Sequence, residues 1–466
     1  MNKILSTKNA PAAIGPYSQG VQAGNTVYVS GQLYFVPETG ELLEGTIGEM
    51  TEQCMKNIAA ILAEADCTLA DIVKTTIFLK DLNDFAAVNE AYGKFFPKNP
   101  PARACVQVAK LPRDAKVEIE AEQVLLEAWE KEVKKKYHRF WMLKNFSREG
   151  LQMKFDYRVF GERPEDGRSL FISMHGGGNA PEALNTQQWR NQIRLYEPRE
   201  GVYVAPRAPW DDWNMWFKPG LDEFFEALIQ TAVVEMGVNP DKVYLLGYSA
   251  GGDGVWRMAP RMADRWAAAS MMAGHPGEAS QVNLRHVPFM IWMGEYDGAY
   301  DRNKLAVEKG LVMDSLQRVE PAGYIHETHI VKGKGHWMDR ADTVAIAWMT
   351  KYKRNALPKE IVWRQEEVVR PFMYWLGVDL ETARPGMTVV AELSGNEIEI
   401  ETCDYSKLRI YLNDRMVDMD KPVKVTYKGK VLFEGKVART AKCIAQTLCE
   451  RGDRELVFSG YVEVGI

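Results

Sequence analysis

The stretch LLGYSAGG (residues 245–252) places one serine between glycines, directly after an apolar run. An apolar run that ends in glycines is typical of a buried strand that stops at a tight turn. Gly247 and Gly251 permit a strained turn from strand to helix, which holds the Ser249 hydroxyl exposed. The backbone N–H of Ala250 is then available to a developing oxyanion. The pattern predicts a nucleophilic serine.

A second glycine-rich loop lies upstream, in FISMHGGGN (171–179). Glycines let backbone N–H groups approach a substrate carbonyl without obstruction by side chains. We therefore expect Gly176 and Gly177 to complete an oxyanion hole with Ala250. His175 is expected to have a structural role in the loop.

A serine nucleophile needs a general base and a carboxylate that orients the base. Two apolar runs downstream supply candidates at their ends: VPFMIWMGEYD (287–297) and HIVKGKGHWMD (329–339). They predict His336 as the base and Asp297 as its partner. Asp301 is the alternative carboxylate, and Asp297 is preferred because it lies closer to the end of its run.

These motifs, in this order over about 165–350, resemble the α/β-hydrolase superfamily, particularly its esterase, depolymerase-like and phospholipase/carboxylesterase-like branches. The resemblance implies a Ser–Asp–His triad that hydrolyses an ester, a thioester or a peptide. It is specific for the reaction class and leaves the substrate open.

The first part of the chain carries a different set of motifs: APAAIGPYSQG (10–20), VYVSGQL (27–33) and NPPARACVQVAKLPRDAKVEIEAEQV (99–124). They resemble the RidA/YjgF imine deaminase family. The resemblance implies a chorismate-mutase-like α+β fold, homotrimers with sites between subunits, and hydrolysis of 2-iminobutanoate and 2-iminopropanoate to 2-keto acids and ammonia.

The same resemblance assigns roles to single residues. Arg103 would bind the carboxylate of the imino acid, which suits a guanidinium fork. Glu118 would position the attacking water and Tyr17 would close the pocket. The residues that would line the pocket are Ser30, Gly31, Asn89 and Cys105.

At 466 residues the chain is longer than one hydrophobic core usually supports, so an α/β protein of several domains is expected. The predicted domains are an imine deaminase-like domain (1–127), a hydrolase domain (140–382) and a small C-terminal domain (383–466). The charged segment 128–139 is predicted to be either a connecting helix or an exposed linker. In 48–67, apolar residues at helical spacing predict a helix with Thr51 near its start as a cap.

Short apolar runs without alternation predict a doubly wound, mostly parallel sheet for 140–382. Alternating residues after about 385 predict antiparallel strands, with turns at SGN (394–396) and YKGK (427–430). The segment 205–220 carries Trp210, Trp213 and Trp216. Two roles are equally open for them: packing in the core, or one of them forming a wall of the substrate pocket.

The composition of the chain argues against several functional classes. A net charge of −5 gives no electrostatic reason to expect nucleic acid as a partner. No apolar window approaches a membrane span. The six cysteines include no C-x-x-C pair, which favours reduced thiols in a cytoplasmic protein and argues against a metal site. We expect no cofactor, since water is the co-substrate at both sites.

Two functional hypotheses remain from the sequence. In the first, the chain is a bifunctional hydrolase that acts on small-molecule imino acids and esters. In the second, it is a serine esterase whose N-terminal domain only holds a trimer together. A binding protein with degenerate sites is disfavoured, because both sets of site residues are intact.

Overall fold

The computed structural model describes residues 3–23, 26–65, 67–69, 72–97, 100–124 and 126–466, and the chain divides into two compact units, Met1–Lys131 and Glu132–Ile466.

The described part of the N-terminal unit contains one six-stranded sheet, two helices of its own and the start of a third. Its elements in chain order are β1 (Lys3–Leu5), β2 (Gly20–Ala23), β3 (Thr26–Gln32), α1 (Ile47–Ala63), β4 (Ile72–Leu79), α2 (Phe85–Gly93), β5 (Ala102–Gln107) and β6 (Val117–Val124). The strand order is β1-β2-β3-β6-β4-β5, and the β4–β5 pair is parallel while the other neighbours are antiparallel.

Helix α1 forms the apolar layer on this sheet. Its buried residues include Met55, Ile58 and Ile61, at the spacing the sequence indicates. The cap is Thr46 and not Thr51: Thr46 and Glu49 exchange hydrogen bonds in a capping box. The helix begins at Ile47, one residue before the predicted range 48–67, and ends at Ala63.

Residues Leu126–Met142 form helix α3, so of the two alternatives for 128–139 the helix is present. The division between the two units falls inside this helix.

The C-terminal unit begins with an eight-stranded mixed sheet. Its strands are β7 (Asn145–Arg148), β8 (Leu151–Phe160), β9 (Arg168–Met174), β10 (Gly201–Pro206), β11 (Val238–Tyr248), β12 (Ala268–Met272), β13 (Phe289–Gly294) and β14 (His326–Val331). The intervening helices are α4 (Glu182–Gln192), α5 (Leu221–Met236), α6 (Ala250–Arg261) and α7 (Arg302–Val319), and α8 (Val344–Met349) follows.

The strand order β14-β13-β12-β11-β9-β10-β8-β7 places six parallel strands side by side, from β14 to β10. Strands β8 and β7 add an antiparallel edge. Strand β9 connects to β10 on one side, and β10 then crosses to β11 on the other side. This reversal leaves a crevice outside the carboxyl ends of β9 and β11, which is where parallel sheets bind ligands.

The rest of this unit forms two smaller sheets and a helix. The elements are β15 (Glu360–Arg364), β16 (Phe372–Met373), β17 (Leu376–Gly377), β18 (Thr388–Ser394), β19 (Glu397–Cys403), β20 (Lys407–Leu412), β21 (Val423–Tyr427), β22 (Lys430–Gly435), α9 (Ala441–Arg451) and β23 (Gly460–Gly465). One sheet has the order β15-β18-β19-β21-β22 and the other β16-β17-β20-β23.

The prediction of purely antiparallel strands is wrong at one place, because β19 and β21 are parallel. The intervening β20 belongs to the other sheet, so the chain crosses over and returns in the same direction. The turns at 394–396 and 427–430 do close antiparallel hairpins. Strands β15, β16 and β17 precede residue 383, so the boundary at 382/383 divides both sheets and stays a prediction.

A buried ion network ties the C-terminal segment to the mixed sheet. The Asp453 carboxylate accepts hydrogen bonds from Arg354 at 2.5 Å and Arg265 at 3.0 Å, and all three side chains are at most 5% exposed. Arg265 also donates to the backbone oxygen of Arg451. Burial alone would raise the pKa of Asp453, but the two guanidinium groups hold it at about 2.

Candidate active sites

The serine of GYSAG lies in a strained turn between β11 and α6. Ser249 has φ 58° and ψ −122°, a conformation that non-glycine residues rarely adopt. Its N–H donates to the carbonyl of Met272 at 2.9 Å, and its carbonyl accepts from the N–H of Asp253 at 3.0 Å. These bonds to a neighbouring strand end and to the helix hold the backbone in this conformation.

The flanking glycines are required by close backbone contacts. A Cβ at Gly247 would lie 2.3 Å from the carbonyl oxygen of Gly251, and one at Gly251 would lie 2.1 Å from that of Met174. Both distances are far below any real contact of a Cβ. The turn therefore packs against the end of β9, which carries the second glycine loop.

Three predicted side chains form one hydrogen-bonded row. The Nε2 atom of His336 lies 2.9 Å from the Ser249 hydroxyl, and its Nδ1 lies 2.7 Å from Oδ2 of Asp297. A carboxylate only accepts, so Nδ1 carries the proton and Nε2 is free to accept from the hydroxyl. Asp301 does not reach His336 and instead pairs with Lys304 on the surface.

Asp297 is only 3% exposed, and its second oxygen lies 3.9 Å from a guanidinium nitrogen of Arg302. Such a buried carboxylate needs positive partners to remain ionised. Arg302 supplies positive charge on one side of the carboxylate, and the Nδ1–H of His336 donates a hydrogen bond to it on the other.

The second glycine loop approaches the serine as expected. A Cβ added at Gly176 would lie 3.0 Å from Cβ of Ser249. Ala250 is the first residue of α6, where backbone N–H groups have no acceptor within the helix. An oxyanion hole is predicted from the N–H groups of Gly176, Gly177 and Ala250. All three therefore belong to segments that lie beside Ser249.

His175 holds the loop from below. The ring is fully buried; Nε2 accepts from the N–H of Ala208 at 3.1 Å, so Nδ1 donates to the carbonyl of Gly176 at 2.6 Å. Burial lowers its pKa to about 3, which keeps the ring neutral. Asn185, which the sequence did not single out, accepts from the N–H of Gly178 at 2.9 Å.

A cavity of about 540 Å³ opens in front of Ser249. None of Trp210, Trp213 and Trp216 lines it: Trp216 is buried edge-on against His175, and Trp213 is exposed against Phe217. The remaining lining residues that sequence reasoning missed are Gln188, Asn191, Gln192, Leu195, Tyr248 and Trp337. The available signals were the position of Trp337 beside His336 and the run of carboxamides in 187–192.

Asp253 is a further titratable group near the row that the sequence did not indicate. One of its oxygens accepts from the N–H of His275 at 2.6 Å, which fixes the loop after β12. Burial raises its pKa to about 6, although that hydrogen bond and Arg302 act in the opposite direction. The carboxyl therefore titrates close to neutral pH.

The N-terminal unit has a cavity of about 290 Å³ that is lined by Tyr17, Ser30, Gly31 and Glu118. A Cβ added at Gly31 would lie 1.8 Å from Oε1 of Glu118, so only glycine leaves room for that carboxyl. The hydroxyl of Ser30 donates to the carbonyl of Ser18 at 2.7 Å. Burial is the main cause that raises the pKa of Glu118, and Glu120 adds to it.

The other three predicted residues do not reach this cavity in the same chain. Arg103 pairs in register with Thr75 on β4, whereas Glu118 pairs with Phe78. Positions 75 and 78 are an odd number apart, so their side chains point to opposite faces of the sheet. Arg103 and Glu118 therefore lie on opposite faces.

On its own face Arg103 packs against α2. Its guanidinium carbon lies 5.0 Å from the ring centroid of Tyr92 and 5.7 Å from that of Phe85. Cys105, two residues along β5, shares this face, and burial raises the pKa of its thiol. Asn89 lies half-buried on α2. One chain thus supplies two separate halves of the predicted set.

Within the described ranges, no three side chains of His, Cys, Asp or Glu lie close enough together to hold a metal ion. The helices of the described chain are all too short or too polar to cross a membrane.

Residues 7–124 match the family model described as endoribonuclease L-PSP. A RutC family protein of Pyrococcus horikoshii is 47% identical over 121 residues, which cover 26% of this chain and 96% of that protein. The 2-iminobutanoate/2-iminopropanoate deaminase of Escherichia coli K12 is 51% identical over 124 residues, which cover 26% of this chain and 96% of that protein. The deaminase of the same name from Homo sapiens is 47% identical over 121 residues, which cover 26% of this chain and 88% of that protein.

A crystal structure of RidA from Psychrobacter sp. PAMC 21119 is 49% identical and covers 26% of this chain and 99% of that chain, with a TM-score of 0.26. The identities near 50% over almost the whole length of these deaminases establish homology for the N-terminal unit. Through residues 7–124 the chain belongs to the RidA/YjgF family.

Proposed function

We propose that the chain is a bifunctional hydrolase: the N-terminal unit hydrolyses 2-imino acids, and the C-terminal unit hydrolyses carboxylic esters through Ser249. The first activity is supported by homology to 2-iminobutanoate/2-iminopropanoate deaminases. The second is supported by the row of hydrogen bonds from Ser249 through His336 to Asp297. The spacing of the cysteines favours the cytoplasm as the place where both act.

At the imine site, Glu118 accepts a hydrogen bond from water and aims it at the imine carbon. Water adds to the C=N bond, the nitrogen takes up protons, and ammonia leaves as the 2-keto acid forms. The observation that supports this role is the half-buried carboxyl of Glu118 in a cavity with Tyr17, Ser30 and Gly31. Burial raises the pKa of Glu118, which makes its carboxylate a stronger base toward a bound water.

The substrate carboxylate needs a cation, and Arg103 is the candidate. Because Arg103 and Glu118 occupy opposite faces of one sheet, the two act on the same substrate only when they come from different copies of the chain. This argument favours a homo-oligomer, with Arg103, Asn89 and Cys105 of one copy facing Glu118 of the next, and the sequence resemblance implies that the oligomer is a trimer.

For the C-terminal unit we propose the α/β-hydrolase fold and mechanism. The strand order, the strained serine after β11 and the glycine loop after β9 support it. His336 takes the proton of the Ser249 hydroxyl as the oxygen attacks the ester carbonyl. Asp297 stabilises the imidazolium, and N–H groups of Gly176, Gly177 and Ala250 stabilise the oxyanion.

His336 then passes the proton to the leaving alcohol, which departs and leaves an acyl-serine. Water enters, His336 removes its proton, and the acid is released as Ser249 is regenerated. Thioesters and peptides would follow the same steps with a thiol or an amine as the leaving group.

The serine mechanism is tested with a fluorophosphonate probe, which labels activated serines covalently. Wild-type protein should be labelled and Ser249→Ala should not. Equal labelling of both proteins would refute the assignment of Ser249.

The imine activity is tested by generating 2-iminobutanoate with a threonine dehydratase and following its decay. Wild-type protein should accelerate the decay, Glu118→Gln should lose most of the acceleration, and Glu120→Gln is the matched control on the same strand face. If wild-type protein has no effect, the N-terminal unit is a scaffold and the chain is an esterase only.

A further inference from the structure

The residues that line the cavity in front of Ser249 indicate which kind of ester it would bind. Helix α4 contributes Gln188, Asn191 and Gln192, which share one face because they are three and four residues apart. Among the described residues that line the cavity, none carries a charge except a protonated His336. The cavity therefore presents several neutral hydrogen-bonding groups and no ion to pair with a charged substrate.

One of these carboxamides, that of Gln192, is anchored to the sheet behind the helix. Gln192 is buried, and its Nε2 donates to the hydroxyl of Ser173 at 2.7 Å while its backbone carbonyl accepts from the hydroxyl of Tyr203 at 2.6 Å. This anchors the end of α4. Gln188, one turn earlier and half-buried, thus faces the cavity from a fixed helix.

The cavity is also lined by Trp337, an aromatic side chain that is partly open to solvent. Trp337 is 49% exposed, and its ring centroid lies 5.6 Å from that of Tyr248. The hydroxyl of Tyr248 donates to the carbonyl of His336 at 2.6 Å and accepts from the N–H of Met338 at 3.2 Å. The backbone on both sides of Trp337 is therefore fixed by one tyrosine.

The position of Trp337 decides which part of the ester it meets. His336 must reach the leaving oxygen to protonate it, so the alcohol part of the ester leaves along the His336 side of the cavity. Trp337 follows His336 directly and flanks that path.

We propose that the C-terminal site hydrolyses esters of a neutral polyhydroxylated alcohol, such as an acylated sugar. The apolar ring face of the alcohol packs on Trp337, and its hydroxyls bond to the carboxamides of Gln188 and Asn191. An ionic alcohol would be desolvated without a counter-ion, and a long alkyl alcohol would form no hydrogen bond to Gln188 or Asn191. The inference rests on the ester hydrolase activity proposed above.

The experiment holds the acyl group constant and varies the alcohol. Methyl 6-O-acetyl-glucoside, hexyl acetate and acetylcholine are compared by release of acetic acid in a pH-stat, using the full chain. We expect kcat/KM for the glucoside acetate to exceed both others by about tenfold or more, since a site that bonds substrate hydroxyls rejects analogues without them.

Two variants locate the selectivity. Gln188→Leu and Trp337→Ala should each lower kcat/KM for the glucoside acetate about tenfold more than for hexyl acetate, mainly through KM. Trp213→Ala, which removes an exposed tryptophan outside the cavity, should leave the ratio unchanged.

Preference for hexyl acetate or acetylcholine would overturn the inference, and so would equal losses on the glucoside and hexyl esters in both variants. These outcomes would leave the serine mechanism intact. If no acetate is hydrolysed and the fluorophosphonate does not label Ser249, the proposed ester hydrolase activity fails, and this inference fails with it.

Discussion

Replacing Asp297 by asparagine tests the role of the buried carboxylate with almost no change in shape. Asp297 Oδ2 lies 2.7 Å from Nδ1 of His336 and is shielded from solvent. Asparagine removes the negative charge that stabilises the imidazolium, and its NH₂ group, turned toward Nδ1, favours the tautomer with the proton on Nε2. That tautomer has no lone pair with which to accept the proton of Ser249.

The magnitude follows from the electrostatics. Two unit charges about 4 Å apart interact by about 4 kcal/mol at an effective dielectric constant of about 20, which corresponds to about a thousandfold in rate. The wrong tautomer adds to this, and about ten-thousandfold in kcat is the loss seen when a serine protease loses the same carboxylate. We therefore expect a loss of a thousandfold to about ten-thousandfold in kcat for Asp297→Asn.

The assay is hydrolysis of 4-nitrophenyl acetate, with Asp301→Asn as the matched control. Asp301 lies four residues away, is exposed and pairs with Lys304, so its variant should keep nearly full activity. A dead Asp301→Asn beside an active Asp297→Asn would refute the assignment. Similar activity of both variants and the wild type would refute the role of a carboxylate altogether.

Three other perturbations act on different parts of the chain. Arg103→Ala should lower kcat/KM for 2-iminobutanoate hydrolysis about a hundredfold, because the substrate anion loses its charge partner; ester hydrolysis measured in the same sample should not change, and a parallel loss would contradict the claim. Gly251→Ala should lower Tm by an amount equivalent to about 1–3 kcal/mol, because the added Cβ overlaps a backbone carbonyl, whereas Gly298→Ala, with open space around its Cβ, should not lower it in the same thermal scan. Asp253→Asn should raise Tm more at pH 7.5 than at pH 4. The pKa of Asp253 is about 6 in the folded protein, above the ordinary 3.8 of the unfolded chain. The wild type therefore loses up to about 3 kcal/mol of folding stability as pH rises from 3.8 to 6, and asparagine does not. An equal effect of the Asp253 variant at both pH values would show that the carboxyl does not titrate there.

The sequence is most informative where chemistry follows strand ends. Ser249, Asp297 and His336 could be proposed from order alone, because the carboxyl ends of parallel strands meet at one edge of a sheet. The lining residues Gln188 and Asn191 could not be proposed in this way. The local sequence of a polar helix does not indicate which of its faces packs against which neighbouring element. Their place depends on how α4 packs against β9 and β10.

Strand register sets the other limit. Arg103 and Glu118 could be named from their resemblance to a family, but the face that each occupies depends on pairing through β4. A slip of one residue in either pair would place both on the same face. The parallel pairing of β19 with β21 was missed for a similar reason, since alternation along a strand indicates burial and says nothing of direction.

Through Asp453, the C-terminal segment supplies a counter-ion for Arg265 and Arg354, two buried arginines about a hundred residues or more earlier in the chain. A shortened chain that ended at 382 would keep Arg265 and Arg354 with their other partners, Glu226 and Asp241, and would lose the carboxylate that the two arginines share. Each buried guanidinium would then have one acidic partner fewer, which lowers stability because charge in the interior needs compensation. Recombination that exchanged this segment for a homologous one would therefore keep full stability only when the incoming segment carried an acid at the position of Asp453.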